Sequence, residues 1–193
     1  MARWKGANVM AHVNRLNASQ SQLLVIDVQE RLLPHIAEQE AMLAQLARMV
    51  RAARVLGMPC TLSEQYVKGL GPTAAALVEL LADAPRREKL TFSAWRDEAL
   101  RGLLTATVRP QVLLTGIEAH VCVQQTAFDL LDAGLTPFVL ADAVSSRRER
   151  DRDVALARMR CAGAVVTTVE AAIFEMLDAC GTERFKQILP IVK

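Results

Sequence analysis

Val112-Leu113-Leu114-Thr115-Gly116-Ile117-Glu118-Ala119-His120-Val121-Cys122 is the stretch from which the rest of the chain is most easily read. Its first four residues form a short, almost wholly apolar run, the pattern of a strand buried on both faces. Gly116 to Val121 then reads as a turn, and Cys122 to Ala133 as a helix stopped by Gly134. A strand that passes directly into a helix is half of a βα unit, and the unit recurs on either side.

Upstream, Leu23-Leu24-Val25-Ile26 is a strand ending at Asp27. Glu38 to Leu56 follows as a helix, with Met42, Leu46, Met49, Val50 and Ala53 at helical spacing and Gly57 as its stop. Met58 to Leu62 opens a second strand. Ser63 to Thr73, with Gly69, Gly71 and Pro72, reads as a loop. A short helix over Ala74–Leu81, an extended segment over Arg87–Phe92 and a helix over Ala94–Thr105 complete the first half. Downstream, Thr136–Leu140 is a strand, Glu149–Ala162 a helix stopped by Gly163, and Val165–Thr167 the last strand. Ala171–Leu177 and Glu183–Ile188 close the chain as helices. Alternating βα units imply a three-layer α/β/α, Rossmann-like fold with a mainly parallel sheet and helices on both faces.

Composition agrees. Of 193 residues, 52% are hydrophobic but only 4% aromatic, so the core is aliphatic. No run approaches the roughly 18 apolar residues of a membrane span, and no membrane partner is expected. Net charge is +2 and the arginines are scattered or interleaved with acids, which gives no basic face for nucleic acid. Met1 to Gln20 hold Arg3, Lys5 and Arg15 without an acid and read as a loosely ordered N-terminal arm. Residues 21–193 read as a single domain. Cys60, Cys122, Cys161 and Cys180 form no CxxC pair and no zinc-finger spacing. Without a secretory h-region the expected compartment is the cytoplasm, with all four as free thiols.

In an open parallel sheet, ligands bind beyond the carboxyl ends of the strands. That rule gathers Asp27, the loop containing Gln65 and Tyr66, and the turn before Cys122 around one crevice, with Lys89 in reach. A cysteine at a helix start has the dipole in its favour as a thiolate, and the free N–H groups there suit an oxyanion. On these features alone Cys122 stays open between core packing and nucleophile. Asp27 is open between loop cap and catalyst, and Lys89 in Arg86-Arg87-Glu88-Lys89 reads first as a solvated charge run.

Taken together, Val25-Ile26-Asp27-Val28-Gln29, Lys89-Leu90-Thr91-Phe92-Ser93 and Thr115–Val123 resemble the isochorismatase-like cysteine hydrolases in order and interval. Ser63 to Thr73 and Val154 to Met159 are most similar to the isochorismatase domain-containing members. The resemblance implies an Asp-Lys-Cys triad: Asp27 as general base, Lys89 as electrostatic support, and Cys122 as the nucleophile of an acyl intermediate. It implies a cis peptide at Ile117–Glu118 that aims the Glu118 and Cys122 amides at an oxyanion. Gln29, Gln65, Tyr66, Phe92, Trp95, Ile117 and Glu118 are the expected pocket residues.

Nicotinamidase-type members hold a metal through histidines after the second strand. Here Glu64, Gln65 and Tyr66 stand there, while the histidines are His12, His35 and His120, so no metal or other cofactor is expected. His120 is read as a solvent-facing turn residue. Because members that cleave a vinyl ether lack the cysteine, Cys122 points to hydrolysis of a small amide or related C–N bond. The competing reading is a binding or scaffold protein that retains the fold. Cys122 is expected to be the most readily alkylated thiol, and the apolar tail Ile188–Val192 to serve self-association into a homo-oligomer.

Overall fold

Along Leu23-Leu24-Val25-Ile26, successive side chains point to opposite faces of the sheet, and each face has its own core. Leu23 and Val25 pack with Leu62, Leu113 and Phe138 in one cluster, and Leu24 and Ile26 pack with Val112, Leu114 and Val139 in the other. All of these side chains are buried. A strand covered on both sides has no solvent face, which is why it reads as a continuous apolar run.

The computed structural model describes residues 14–193. In chain order the elements are β1 (Ser21–Ile26), α1 (Gln39–Leu56), β2 (Cys60–Gln65), α2 (Val67–Leu70), α3 (Ala75–Val78), β3 (Arg86–Lys89) and α4 (Glu98–Ala106). Then come β4 (Gln111–Ile117), α5 (Gln124–Asp132), β5 (Thr136–Ser145), α6 (Glu149–Ala162), β6 (Val165–Thr167), α7 (Val169–Leu177) and α8 (Glu183–Val192). The six strands lie in the order β3-β2-β1-β4-β5-β6, every neighbouring pair parallel. Helices α1, α7 and α8 bury Leu46, Ile173 and Ile188 on one face, and α4, α5 and α6 bury Leu100, Leu130 and Met159 on the other.

Several expectations change. Ser63, Glu64 and Gln65 extend β2 instead of opening a loop, because their polar side chains find buried partners. The loop that follows holds the short helix α2. The tail Ile188–Val192 belongs to α8: Ile188 is fully buried, and Ile191 and Val192 pack on the chain's own core. Leu189, Ile191 and Val192 stay half-buried and Pro190 exposed, so only part of the tail is spent on the chain's own core. Part of the N-terminal arm, residues 1–13, lies outside the described residues. The remainder is pinned: Leu16 is buried, its N–H donates to Glu175, and the Gln111 amide binds Arg15 O and Asn17 N.

The chain runs out from β1 in one direction and from β4 in the other, so the switch point of the topology lies between these two neighbours. There β1 and β4 approach too closely for a side chain. Gly116 pairs with Ile26 at φ +103°, and a Cβ on it would stand 2.1 Å from Ile26 O. We predict that Gly116→Ala lowers unfolding free energy by at least about 3 kcal/mol, measured by urea denaturation, because backbone conformation and contact are both violated. A loss of a few tenths would show that the two strands separate freely at this end.

Candidate active site

Asp27 follows β1 directly, at φ 53°, a left-handed conformation uncommon for a non-glycine residue. It is 1% exposed. One carboxylate oxygen, Oδ1, accepts from Ser63 Oγ at 2.7 Å, and Oδ2 accepts from Lys89 Nζ at 2.7 Å. Ser63 lies on β2 and Lys89 ends β3, so three adjacent strand ends hold one carboxylate.

Lys89 is no member of a solvated run. Arg87 and Glu88 on β3 are exposed, but Lys89, at the carboxyl end of the strand beside Asp27, is buried and its side chain has no exposure. The ammonium donates to Asp27, to Gln65 Oε1 at 2.7 Å, and to the carbonyls of Phe92 and Thr91 at 3.0 and 3.2 Å. Four acceptors for three N–H bonds leave no donor unsatisfied, the condition under which a buried cation is tolerated.

Cys122 sits in a π-helical turn over Ala119–Val123, ahead of α5. The expected open helix start is therefore replaced by a wider turn, of the kind often found at functional positions. The N–H groups of Val123 and Gln124 just past the cysteine are bound to Glu118 O and Ala119 O. Thr126 Oγ1 donates to Cys122 O at 2.7 Å and accepts from Ala94 N, tying the turn to the segment after Lys89. The peptide Ile117–Glu118 before the turn is cis.

The thiol is 6% exposed. Burial and then the Asp27 carboxylate push its pKa well above the ordinary thiol value, and Lys89 offsets only part of this. Both charged groups act on the sulfur. Desolvation and the neighbouring carboxylate thus work against the anion, because one cation that the carboxylate already neutralises offsets only part of their effect. Cys161 and Cys180 are exposed, so ease of alkylation no longer singles out Cys122.

Asp27 and Cys122 face a cavity of about 220 Å³, lined also by Leu32, Gln65, Leu70, Phe92, Glu118, Val121 and Arg147. Of the residues read as pocket-lining, Gln65, Phe92 and Glu118 line this cavity. Four others do not. Gln29 is fully buried and binds the backbone of Gln65 and Gly71, acting as a brace behind the wall. Tyr66 faces an adjoining groove with Glu88 and Leu90, and Trp95 a different hollow beside Asp129. Ile117 packs in the core on the opposite face of the sheet. His120 is half-buried, with Nδ1 2.9 Å from Ser146 Oγ, and not simply solvent-facing.

Sequence reading misses Ser63 and Arg147. Ser63 looks like a loop residue, and Arg147 belongs to an arginine-rich run that seems merely solvated. Their common signal is position: each stands at or just past the carboxyl end of a strand, β2 or β5. Glu64, where a metal ligand stands in other members, accepts instead from Thr73 N and Thr73 Oγ1 and pairs with Arg86.

We predict that Lys89→Met costs about 3–5 kcal/mol in urea denaturation, since it strands a buried carboxylate. Asp27→Asn combined with Lys89→Met should recover part of that loss. A single-variant cost below about 1 kcal/mol would mean that Asp27 is solvated.

The isochorismatase domain model matches residues 21–171. Isochorismatase domain-containing protein 2 of Pongo abelii is 42% identical over 185 residues, covering 94% of this chain and 87% of that one. Among solved structures, the MAR1 ribonuclease of Caenorhabditis elegans is 39% identical with TM-score 0.87, covering 92% of both chains. YcaC of Pseudomonas aeruginosa, with hexane-2,5-diol and covalent acrylamide, is 26% identical with TM-score 0.86, covering 93% of this chain and 92% of that one. The ribonuclease name leaves the expectation of no nucleic-acid partner resting on charge distribution alone. By family model, sequence and fold alike, the chain belongs to the isochorismatase domain family.

Proposed function

We propose that this protein hydrolyses a small amide or related acyl C–N compound through a covalent intermediate on Cys122, without a metal. The observation that carries this reading is the buried Lys89–Asp27 pair, 2.7 Å apart, with Asp27 and Cys122 lining the same small cavity and both charges acting on the sulfur. A buried ion pair is weak evidence for stability alone, so its place against a sulfur at a switch point favours chemistry. The covalent acrylamide in the similar YcaC structure supports a nucleophile on this scaffold.

In this mechanism the thiol is neutral at rest. As Sγ bonds to the substrate carbonyl carbon, its proton passes to Asp27, so no free thiolate has to form in a site that disfavours it. The carbonyl oxygen becomes an oxyanion beside the Glu118 and Cys122 amides. The C–N bond breaks, Asp27 returns the proton to the departing nitrogen, and a thioester remains. Water then loses a proton to Asp27, its oxygen bonds to the acyl carbon, the Sγ–C bond breaks, and the proton goes back to sulfur. Lys89 stays charged throughout and holds Asp27 in place.

A second reading, cleavage of RNA, is favoured by the name of the Caenorhabditis elegans protein and by the exposed arginines that begin at Arg147 on the cavity's rim. The two part in one experiment. A panel of short aliphatic amides and a mixed-sequence RNA are incubated with the wild-type protein and with Cys122→Ala. We predict amide turnover that falls by at least about 10³-fold in the variant, while RNA stays intact. RNA cleavage that depends on Cys122, with no amide turned over, would reverse the assignment.

A further inference from the structure

At the end of the sheet opposite Cys122 one edge is left incomplete. β3 begins opposite Leu62, so the first two residues of β2, Cys60 and Thr61, have no strand beside them on that side. Leu23 N donates to Pro59 O, which turns the Pro59 backbone toward β1, and Leu62 N donates to Pro85 O, which turns that of Leu62 toward β3. These directions alternate along a parallel strand, so the N–H and C=O of Cys60 face the open edge. The rung that would serve Cys60 O needs an N–H from residue 85, and Pro85 has none. Neither backbone group of Cys60 has a partner on this side among the described residues.

A cavity of about 400 Å³ lies against this edge, larger than the one at Cys122. Val50 and Ala53 of α1, Leu80 and Ala84 from the segment before β3, and Leu103 of α4 supply apolar walls. Cys60 and Thr61 line it from β2. Thr61 is 4% exposed, yet its hydroxyl has no hydrogen-bond partner among the described residues. The charged residues of the lining, Arg54 and Asp83, stand 3.5 Å apart as an exposed pair and leave no net charge for an ion. Size, apolar walls and a few polar groups at fixed positions are the features of a small-molecule site. An unpaired backbone donor and acceptor, with a buried hydroxyl beside them, are stabilised by whatever completes their hydrogen bonds.

We propose that this cavity is a second binding site, for a neutral apolar molecule that carries a cis amide, as a lactam does. The amide oxygen accepts from Cys60 N–H and from the Thr61 hydroxyl, the amide N–H donates to Cys60 C=O, and the hydrocarbon body fills the apolar walls. An extended peptide fits less well, because the edge offers a single rung: the Met58 N–H before it is already bound to Ala53 O.

Oxindole, a small bicyclic lactam, and N-methyloxindole are a matched pair of probes, used on Cys122→Ala so that neither is turned over. Residue-resolved hydrogen exchange reads the Cys60 amide directly. In the free protein this amide should exchange at nearly the rate of an unstructured peptide. Oxindole at about 5 mM should slow it about threefold or more, as a low-millimolar Kd for so small a probe requires. The slowing rises with concentration, so its slope gives the affinity at this site alone. By that slope N-methyloxindole, which leaves Cys60 C=O without a donor, should bind at least about fivefold more weakly. Ala84→Phe puts a ring into the cavity and should remove the slowing.

A Cys60 amide protected before any probe is added, no slowing by oxindole, or equal slopes for the two lactams overturns the proposal. Slowing that survives in Ala84→Phe also overturns it, because the probe then acts from elsewhere. If Ala84→Phe does not fold, the exchange of Cys60 and the comparison of the two lactams decide without it.

Discussion

The ammonium of Lys89 lies out of reach of solvent, 2.7 Å from one oxygen of Asp27, and three strand ends are arranged around that contact. Taking two charges out of water costs several kcal/mol per ion, and their attraction offsets this only if the remaining hydrogen-bonding capacity is filled. Gln65, the Thr91 and Phe92 carbonyls and Ser63 supply the filling. Gln65 in turn is fixed by Gln29, which reaches across to Gly71, so the demand of one ion pair propagates to the loop after β2. The polar residues in that buried region are there because the pair requires them.

The same pair sets the state of the sulfur. A cation beside a cysteine is commonly read as a device for making thiolate, but Lys89 is already matched by Asp27, and burial then governs. In the proposed mechanism the site holds a neutral thiol next to a base, proton transfer and bond formation to carbon go together, and the nucleophile is released only when a substrate carbonyl is in place. Glu118 and Arg147 join the π turn to the segment after β5, where the β4–β5 register jumps from Leu114↔Val139 to Gly116↔Val144. That irregularity carries the end of β5 to the rim of the cavity.

What the sequence makes legible follows from how each element is stabilised. β1, β4, α1, α6 and β6 are recognisable because apolar burial and glycine stops define them, and α6 and β6 are bounded as their periodicity and Gly163 indicate. β2 is cut short in a sequence reading because Ser63, Glu64 and Gln65 are buried by hydrogen bonds, which hydropathy does not register. Lys89 is misjudged by its neighbours Arg86, Arg87 and Glu88: its place at the carboxyl end of β3, beside Asp27 and Gln65, buries it, and local charge does not reveal that. Resemblance to a family picks out Asp27, Lys89 and Cys122, but not Ser63, Arg147 or the surroundings of Gln29, Trp95 and Ile117. Those depend on contacts across long stretches of chain.

The central claim is that Cys122 rests as a neutral thiol and gives up its proton to Asp27 only as it attacks. Thiolates absorb in the ultraviolet where thiols do not, so the difference between the wild-type protein and Cys122→Ser, followed against pH, titrates this one sulfur. The account predicts no thiolate signal at neutral pH and ionisation only in strongly alkaline solution. It also predicts that Asp27→Asn, which removes the carboxylate while leaving Lys89, shifts ionisation to lower pH. A thiolate already present at neutral pH in the wild type would contradict it.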